Sequence, residues 1–159
     1  MDKIIRLNKK YTVELTIVDF ESEHQGDRKN NITKQDMKIG IKNRFDKGHE
    51  IFFGYKHNNE LIGYATLKPF FPGYNHCEMY WLAVKKKYQK QGIGTKLIKY
   101  IENYANKQGF RKIYLYTGKD MKDTRSFYEK RGYNLVNEFP DYYGYKSGNK
   151  TAVLYCKKL

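Results

Sequence analysis

The chain has 159 residues, and its 31 Lys and Arg against 17 Asp and Glu leave a net charge of +14 at pH 7. That length buries roughly two thirds of the unfolded surface, so one self-sufficient domain over residues 1–159 is expected, with no second module. No apolar run approaches the ~18 residues of a membrane span, and Cys77 and Cys156 lie in apolar runs without metal-ligand spacing, as buried reduced thiols would, so a soluble cytoplasmic protein is expected.

In chain order, the β-branched alternation of "YTVELTIV" (11–18) predicts a first strand. Residues 21–50 are polar and ambiguous, with a weak helix near 34–46 that Thr33 can cap. "IFFGYKH", an Asn58-Asn59 turn and "ELIGYATLKPFF" read as a hairpin, because Asn tolerates the positive φ a tight turn needs. "HCEMYWLAV" (76–84) has little polar alternation and reads as a central strand covered on both faces. From Thr95, Leu97, Ile98, Ile101, Tyr104 and Ala105 recur at helical spacing, with Gly109 as the C-terminal stop. "RKIYLYTG" (111–118) is the next strand, followed by a short helix that Asp123 can cap and Gly132 can end. "YNLVNEF" and "TAVLYCKKL" are two closing strands joined by the aromatic loop "PDYYGYKSG". The class is mixed α/β around one sheet.

The charge is chiefly dispersed Lys, whereas the bidentate fork that reads bases belongs to Arg. Composition therefore argues against nucleic acid and for a locally held polyanion. Lys85, Lys86, Lys87, Lys90 and Lys96 cluster around Gly92 and Gly94, which stand between a strand and a helix. Such a turn puts free amides at the positive end of a helix, and glycine lets an anion approach them closely. The spacing fits neither a P-loop nor a dinucleotide fingerprint, whose third glycine would fall on Leu97.

"QKQGIG" (Gln89–Gly94) resembles the Gln/Arg-x-x-Gly-x-Gly/Ala motif of the GCN5-related N-acetyltransferases, the GNAT family. The strand "CEMYWLAV" before it, "IYLYTG" after the helix, and "FYEKRGY" (127–133), similar to the family's Phe/Leu-Tyr-x-x-x-Gly-Phe/Tyr segment, come in the family's order. The match covers residues 76–135, and residues 1–50 match loosely. The resemblance implies the GNAT fold, a mixed and mostly antiparallel sheet of six to seven strands flanked by helices. It implies acetyl-coenzyme A as acyl donor; His24, His49, His57 and His76 show no Cys/His ligand spacing, so no metal is expected. The donor's pyrophosphate would rest on the backbone of Gln89, Lys90, Gln91, Gly92, Ile93, Gly94 and Thr95, and its pantetheine arm on the main chain of Leu82, Ala83 and Val84, after a bulge. Lys85–Lys90 are either further phosphate ligands or solvated surface. Homodimers are common in the family, and no motif here marks one.

Acetyl transfer to an amine requires that an ammonium with a reference pKa of about 10.4 lose a proton and that a thiolate gain one. Tyr128 matches the family's acid, positioned near the cofactor sulfur. Glu78 is the candidate base, a carboxylate in an otherwise apolar strand whose burial would raise its pKa; its bland alternative is an edge carboxylate paired with a lysine. The resemblance fails at Tyr116 and Met121, where relatives carry a glutamate and an asparagine. The first departure weakens a ribosomal-protein N-acetyltransferase reading, although "FPDYYGYKSG" is similar to a tail loop seen in such enzymes. His76 is either a proton relay or structural, and Asp141, Tyr142 and Tyr143 either line the acceptor site or form a hairpin tip. The expected function is N-acetylation of a small-molecule or peptide amine. The alternative is a non-catalytic module binding acyl-coenzyme A or nucleic acid.

Overall fold

The computed structural model describes residues 1–24, 31–143 and 151–159. Seven strands form one sheet: β1 (Lys3–Leu7), β2 (Ile51–His57), β3 (Glu60–Pro69), β4 (His76–Val84), β5 (Lys112–Gly118), β6 (Asn134–Phe139) and β7 (Ala152–Lys158). Their order is β1-β2-β3-β4-β5-β7-β6, antiparallel except where β4 meets β5. Among the described residues four helices flank it: α1 (Thr12–Ser22), α2 (Lys34–Lys47), α3 (Ile93–Lys107) and α4 (Lys122–Glu129).

The first expected strand is a helix. In α1 the residues that bury are Leu15, Thr16, Val18, Asp19 and Ser22, of which Leu15, Val18, Asp19 and Ser22 are spaced by three and four as on one helical face, while Val13 stays exposed. The alternation of "YTVELTIV" was shared by both periods, and the strand is instead Lys3–Leu7, paired with β2. Helix α2 begins as expected at Thr33: its hydroxyl accepts from the Asp36 amide at 3.1 Å, and the Asp36 carboxylate accepts from the Thr33 amide at 2.9 Å. Asn58 and Asn59, at φ of 47° and 66°, turn β2 into β3. Helix α4 has no side-chain cap; its N-cap is Met121, and Asp123 sits one residue inside the first turn.

The core has two layers. On the α3 side, Leu97, Ile98, Ile101 and Ala105 of α3 pack on Phe53, Leu67, Met79, Ile113 and Tyr155 of the sheet. On the α1/α2 side, Leu15, Val18 and Ile41 pack on Phe52, Tyr64 and Ala83. Strand β4 therefore is covered on both faces, except at Tyr80, which is exposed. Cys77 is fully buried and burial pushes its thiol up to about 12, whereas Cys156, expected buried, is only half-buried.

A polar network crosses the second layer. Asp19 accepts from the Tyr64 hydroxyl at 2.8 Å and from the Trp81 indole at 2.9 Å. Arg44 lies beside them, its Nε donating to Glu50 at 2.9 Å and its Nη2 to Thr66 at 3.0 Å. Burial opposes the charge on Arg44, but the hydrogen bond and charge of Glu50 together with the contact to Tyr64 outweigh it and hold the guanidinium firmly protonated.

Candidate active site

Two strands that start together and then part create the site. Strands β4 and β5 pair from His76 with Lys112 to Glu78 with Tyr114, and no further. Beyond Glu78, β4 keeps its partner on the β3 side alone. The β3–β4 register slips between Thr66 and Leu67, so that Tyr80 of β4 is a bulge residue with no partner opposite. The bulge falls two residues before Leu82, where the resemblance implied it. A cavity of about 960 Å³ fills the gap.

The glycine turn stands at the cavity's head. Gly92, at φ +81°, is the N-cap of α3 and needs the left-handed backbone that glycine adopts freely. Gly94 has a different reason: a Cβ there would stand 3.3 Å from Phe127 Cζ of α4. One glycine turns the chain and the other lets two helices close.

Leu82, Val84, Gln89, Lys90, Gly92, Gly94, Thr95, Glu78 and Tyr128 all line the cavity. Three expected cofactor residues do not. Ala83 faces the opposite, α1/α2 layer, Ile93 is packed in the core, and the Gln91 side chain donates to the Lys87 carbonyl at 2.9 Å. For these three only the main chain remains to meet a ligand. Gln89 is also a structural tie, its amide donating to the carbonyls of Ser22 at 3.0 Å and Val84 at 2.9 Å.

The lysine run needs the largest correction. Lys85 is buried and held 2.8 Å from Glu60 and 3.1 Å from Glu21; its burial penalty is overcome by those two carboxylates, and its pKa is raised. Lys86 lies 3.7 Å from Glu23, Lys87 3.8 Å from Glu60, and Lys96 3.8 Å from Asp2. Their charges are already matched by acids distant in sequence. Only Lys90 of the run lines the cavity. Missed by sequence reasoning is Arg131, whose Nε donates to Thr95 at 3.2 Å and whose guanidinium lies 3.5 Å from the Phe127 ring centroid. Its place one residue before Gly132 in "FYEKRGY" was the available signal.

At the other end, Glu78 is 4% exposed, and burial raises its pKa from 4.5 to about 7. Its cross-strand partner Lys68 pulls the other way, and Glu50 adds to the rise. The carboxyl is therefore buried rather than edge-facing, and Lys68 stands across the strand pair from it. The Lys68 ammonium lies 3.2 Å from the Tyr80 ring centroid. Tyr128 is buried against Phe127 and Tyr133, with ring centroids at 5.3 and 5.7 Å, and desolvation drives its phenol well above the usual range. It therefore stays protonated at any working pH. Trp81, His24, Tyr116, Tyr142 and Tyr143 complete this end, Tyr116 and Tyr142 stacked at 5.1 Å. Asp141 is exposed and off the cavity wall, and His76 stacks on Tyr114 away from it. The rest of the aromatic loop, from residue 144, lies outside the described residues.

Among the described residues no helix is long and apolar enough to cross a membrane, and no group of three or more His, Cys, Asp or Glu could hold a metal ion. Residues 12–133 match the model of the Acetyltransferase (GNAT) family. The Xenopus tropicalis protein named Probable N-acetyltransferase 14 is 31% identical over 78 residues, which are 49% of this chain and 37% of that protein. The match thus spans little over a third of this relative. Among solved structures, the ribosomal-protein-S18-alanine N-acetyltransferase of Escherichia coli superposes with a TM-score of 0.77 at 17% identity, covering 99% of this chain and 94% of that one. The PaiA N-acetyltransferase of Thermoplasma acidophilum, solved in complex with coenzyme A, does so with a TM-score of 0.72 at 22% identity, covering 100% and 99%. At these identities the likeness shows the fold, and the family match over most of the length carries the assignment: the chain belongs to the acetyltransferase (GNAT) family, whose members are acyltransferases.

Proposed function

We propose that the chain is an acetyl-coenzyme A dependent N-acetyltransferase that passes an acetyl group directly to a primary amine of a small molecule, peptide or protein. The observation that carries this reading is the open edge of β4, with the glycine turn at its head and both Glu78 and Tyr128 on its wall. The amides at the start of α3 hold the pyrophosphate at the positive end of the helix. The main chain of Leu82–Val84 takes the pantetheine arm as an added strand.

Glu78 accepts the proton that the acceptor ammonium must shed, directly or through water, and a pKa of about 7 suits that role near neutral pH. The amine nitrogen then bonds to the acetyl carbon, the carbon–sulfur bond breaks, Tyr128 gives the departing thiolate its proton, and the proton still on the new amide nitrogen leaves to restore the phenol. Burial keeps that phenol in the donor form until the thiolate appears.

The test is a pair of measurements on the full chain. Acetyl-coenzyme A at about 100 times its Kd should stabilise the fold by roughly 2.7 kcal/mol by mass action, and an amine screen read by free thiol release should yield turnover. Binding without thiol release from any polyamine, amino acid, aminoglycoside or peptide N-terminus would leave a ligand-binding module on an acetyltransferase fold. No stabilisation at all would remove the cofactor itself.

A further inference from the structure

Glu78 and Lys68 stand directly opposite each other in the β3–β4 register, so their side chains share a face at the spacing of cross-strand partners. A buried carboxylate and a lysine so placed are expected to form an ion pair. Among the described residues Lys68 forms none. Its ammonium turns instead to aromatic rings, lying 3.2 Å from the Tyr80 centroid and 5.9 Å from that of Phe71.

The bulge makes this possible. Tyr80 follows Glu78 by two residues and has no partner on β3, because Thr66 pairs with Trp81. No cross-strand side chain covers its ring, which lies diagonal to Lys68 and within reach of a long side chain. Tyr80 is exposed and lines the cavity, so a single ring is both cavity wall and seat for the cation. The other groups around Glu78 offer it no counter-ion. Glu50, before β2, has like charge and is held by Arg44, while Tyr116 of β5 and Tyr142 beyond β6 are phenols whose pKa burial and neighbouring acids raise. Arg44 also reaches the Tyr80 ring, at 5.2 Å, but is tied to Glu50 and Thr66. Lys68 is itself partly buried, which lowers its pKa; Glu78 and Glu50 oppose that shift, and the charges of Arg44 and Lys47 add to it.

Resting on the reading of Glu78 as base, we infer that Tyr80 is a positioning residue: its ring holds the Lys68 ammonium aside and leaves the Glu78 carboxyl unpaired and open to the acceptor. The attraction of an ammonium to the face of an aromatic ring is what competes with the ion pair. An ion pair with Lys68 would weaken the carboxylate as a proton acceptor and put a resident ammonium where the acceptor's must go. Tyr80 thus serves the proton transfer through Lys68.

The experiment follows the Glu78 carboxyl by carbon NMR across pH in the ligand-free full chain, with Glu78→Gln to assign its signal. The wild type is compared with Tyr80→Leu, Tyr80→Phe and the Tyr80→Leu/Lys68→Met double variant, and melting temperatures check that each is folded. The wild-type carboxyl should titrate at about 7. In Tyr80→Leu, where Lys68 is free to swing onto Glu78, it should titrate about one pH unit or more lower. Tyr80→Phe keeps the ring face and should match the wild type. The double variant has no ammonium to swing and should return to the wild-type value or above it. A wild-type titration in the ordinary carboxylate range overturns the inference, as does an unchanged Tyr80→Leu, a Tyr80→Phe that behaves like Tyr80→Leu, or a fall that persists in the double variant. The acidic limb of kcat/KM should move with the NMR titration across the same proteins. If the titration moves as stated and the limb does not, the placing of Lys68 by Tyr80 stands and the reading of Glu78 as base fails.

Discussion

At the residue scale, Glu78 ties chemistry to stability with opposite signs. Its folded-state pKa is raised, from 4.5 to about 7, so the native chain holds a proton that the unfolded chain releases. Stability from this group is therefore full below pH 4.5 and is lost as pH rises from there to about 7. Glu78→Gln should make the protein more stable than wild type at pH 8, on the order of 2 kcal/mol after allowing for partial solvent screening, and equal to it near pH 4. The same change should abolish the acidic limb of the kcat/KM profile, which in the wild type should rise to a plateau above an apparent pKa near 7. A wild-type profile flat from pH 6 to 8, with an equally active variant, would show that Glu78 is not the base. Its identity was legible as an acid in an apolar strand. The part that Lys68, Glu50 and Tyr80 play around it was not, because strand register decides it.

At the element scale, the turn before α3 shows why a motif can be read correctly and explained incompletely. Sequence suggested that both glycines clear space for a phosphate. In the fold Gly92 is required first by its φ of +81°, with nothing within 4 Å of a built Cβ, and Gly94 by its approach to Phe127. Gly92→Ala should cost about 1 kcal/mol in left-handed strain and lower Tm by roughly 3 °C. Gly94→Ala should instead weaken acetyl-coenzyme A binding more than stability, since its methyl can be relieved only by moving Phe127 across the cleft. Calorimetry on both variants separates the two; an unchanged Tm for Gly92→Ala would contradict the strain argument. The hairpin, β4 and α3 were legible because their patterns are long and locally punctuated. The strand predicted at 11–18 failed because eight residues satisfy both periods, and packing of Leu15 and Val18 on the sheet chose between them.

At the scale of the whole molecule, the two layers beside the sheet are held differently. The α3 layer is apolar, whereas the α1/α2 layer is organised around Asp19, Tyr64, Arg44 and Glu50, drawn from three elements and the connection before β2. None of these pairings has a local sequence signature. Arg44→Met should destabilise the fold by about 3–5 kcal/mol, because it leaves Glu50 buried without its partner. An Arg44→Met/Glu50→Leu double variant should recover much of that loss in a denaturant titration. If the double variant is no better than the single, the guanidinium's contacts with Phe52, Tyr80 and Trp81 are what matter. Trp81 links this network to the cavity, so that end of the cavity is shaped by residues that do not line it.

The free edge of β4 has a consequence for how such a chain can diverge. A ligand read by main-chain groups makes the same demands whatever side chains the strand carries, provided the bulge and the parting from β5 persist. On the proposed function, Trp81, and Tyr80 together with Lys68, are then at liberty to change with the acceptor while Glu78 and the donor site stay constant. A sheet left one strand short separates the inherited half of the reaction from the half each lineage reinvents, and identities of 17 to 22% are compatible with one architecture on those terms.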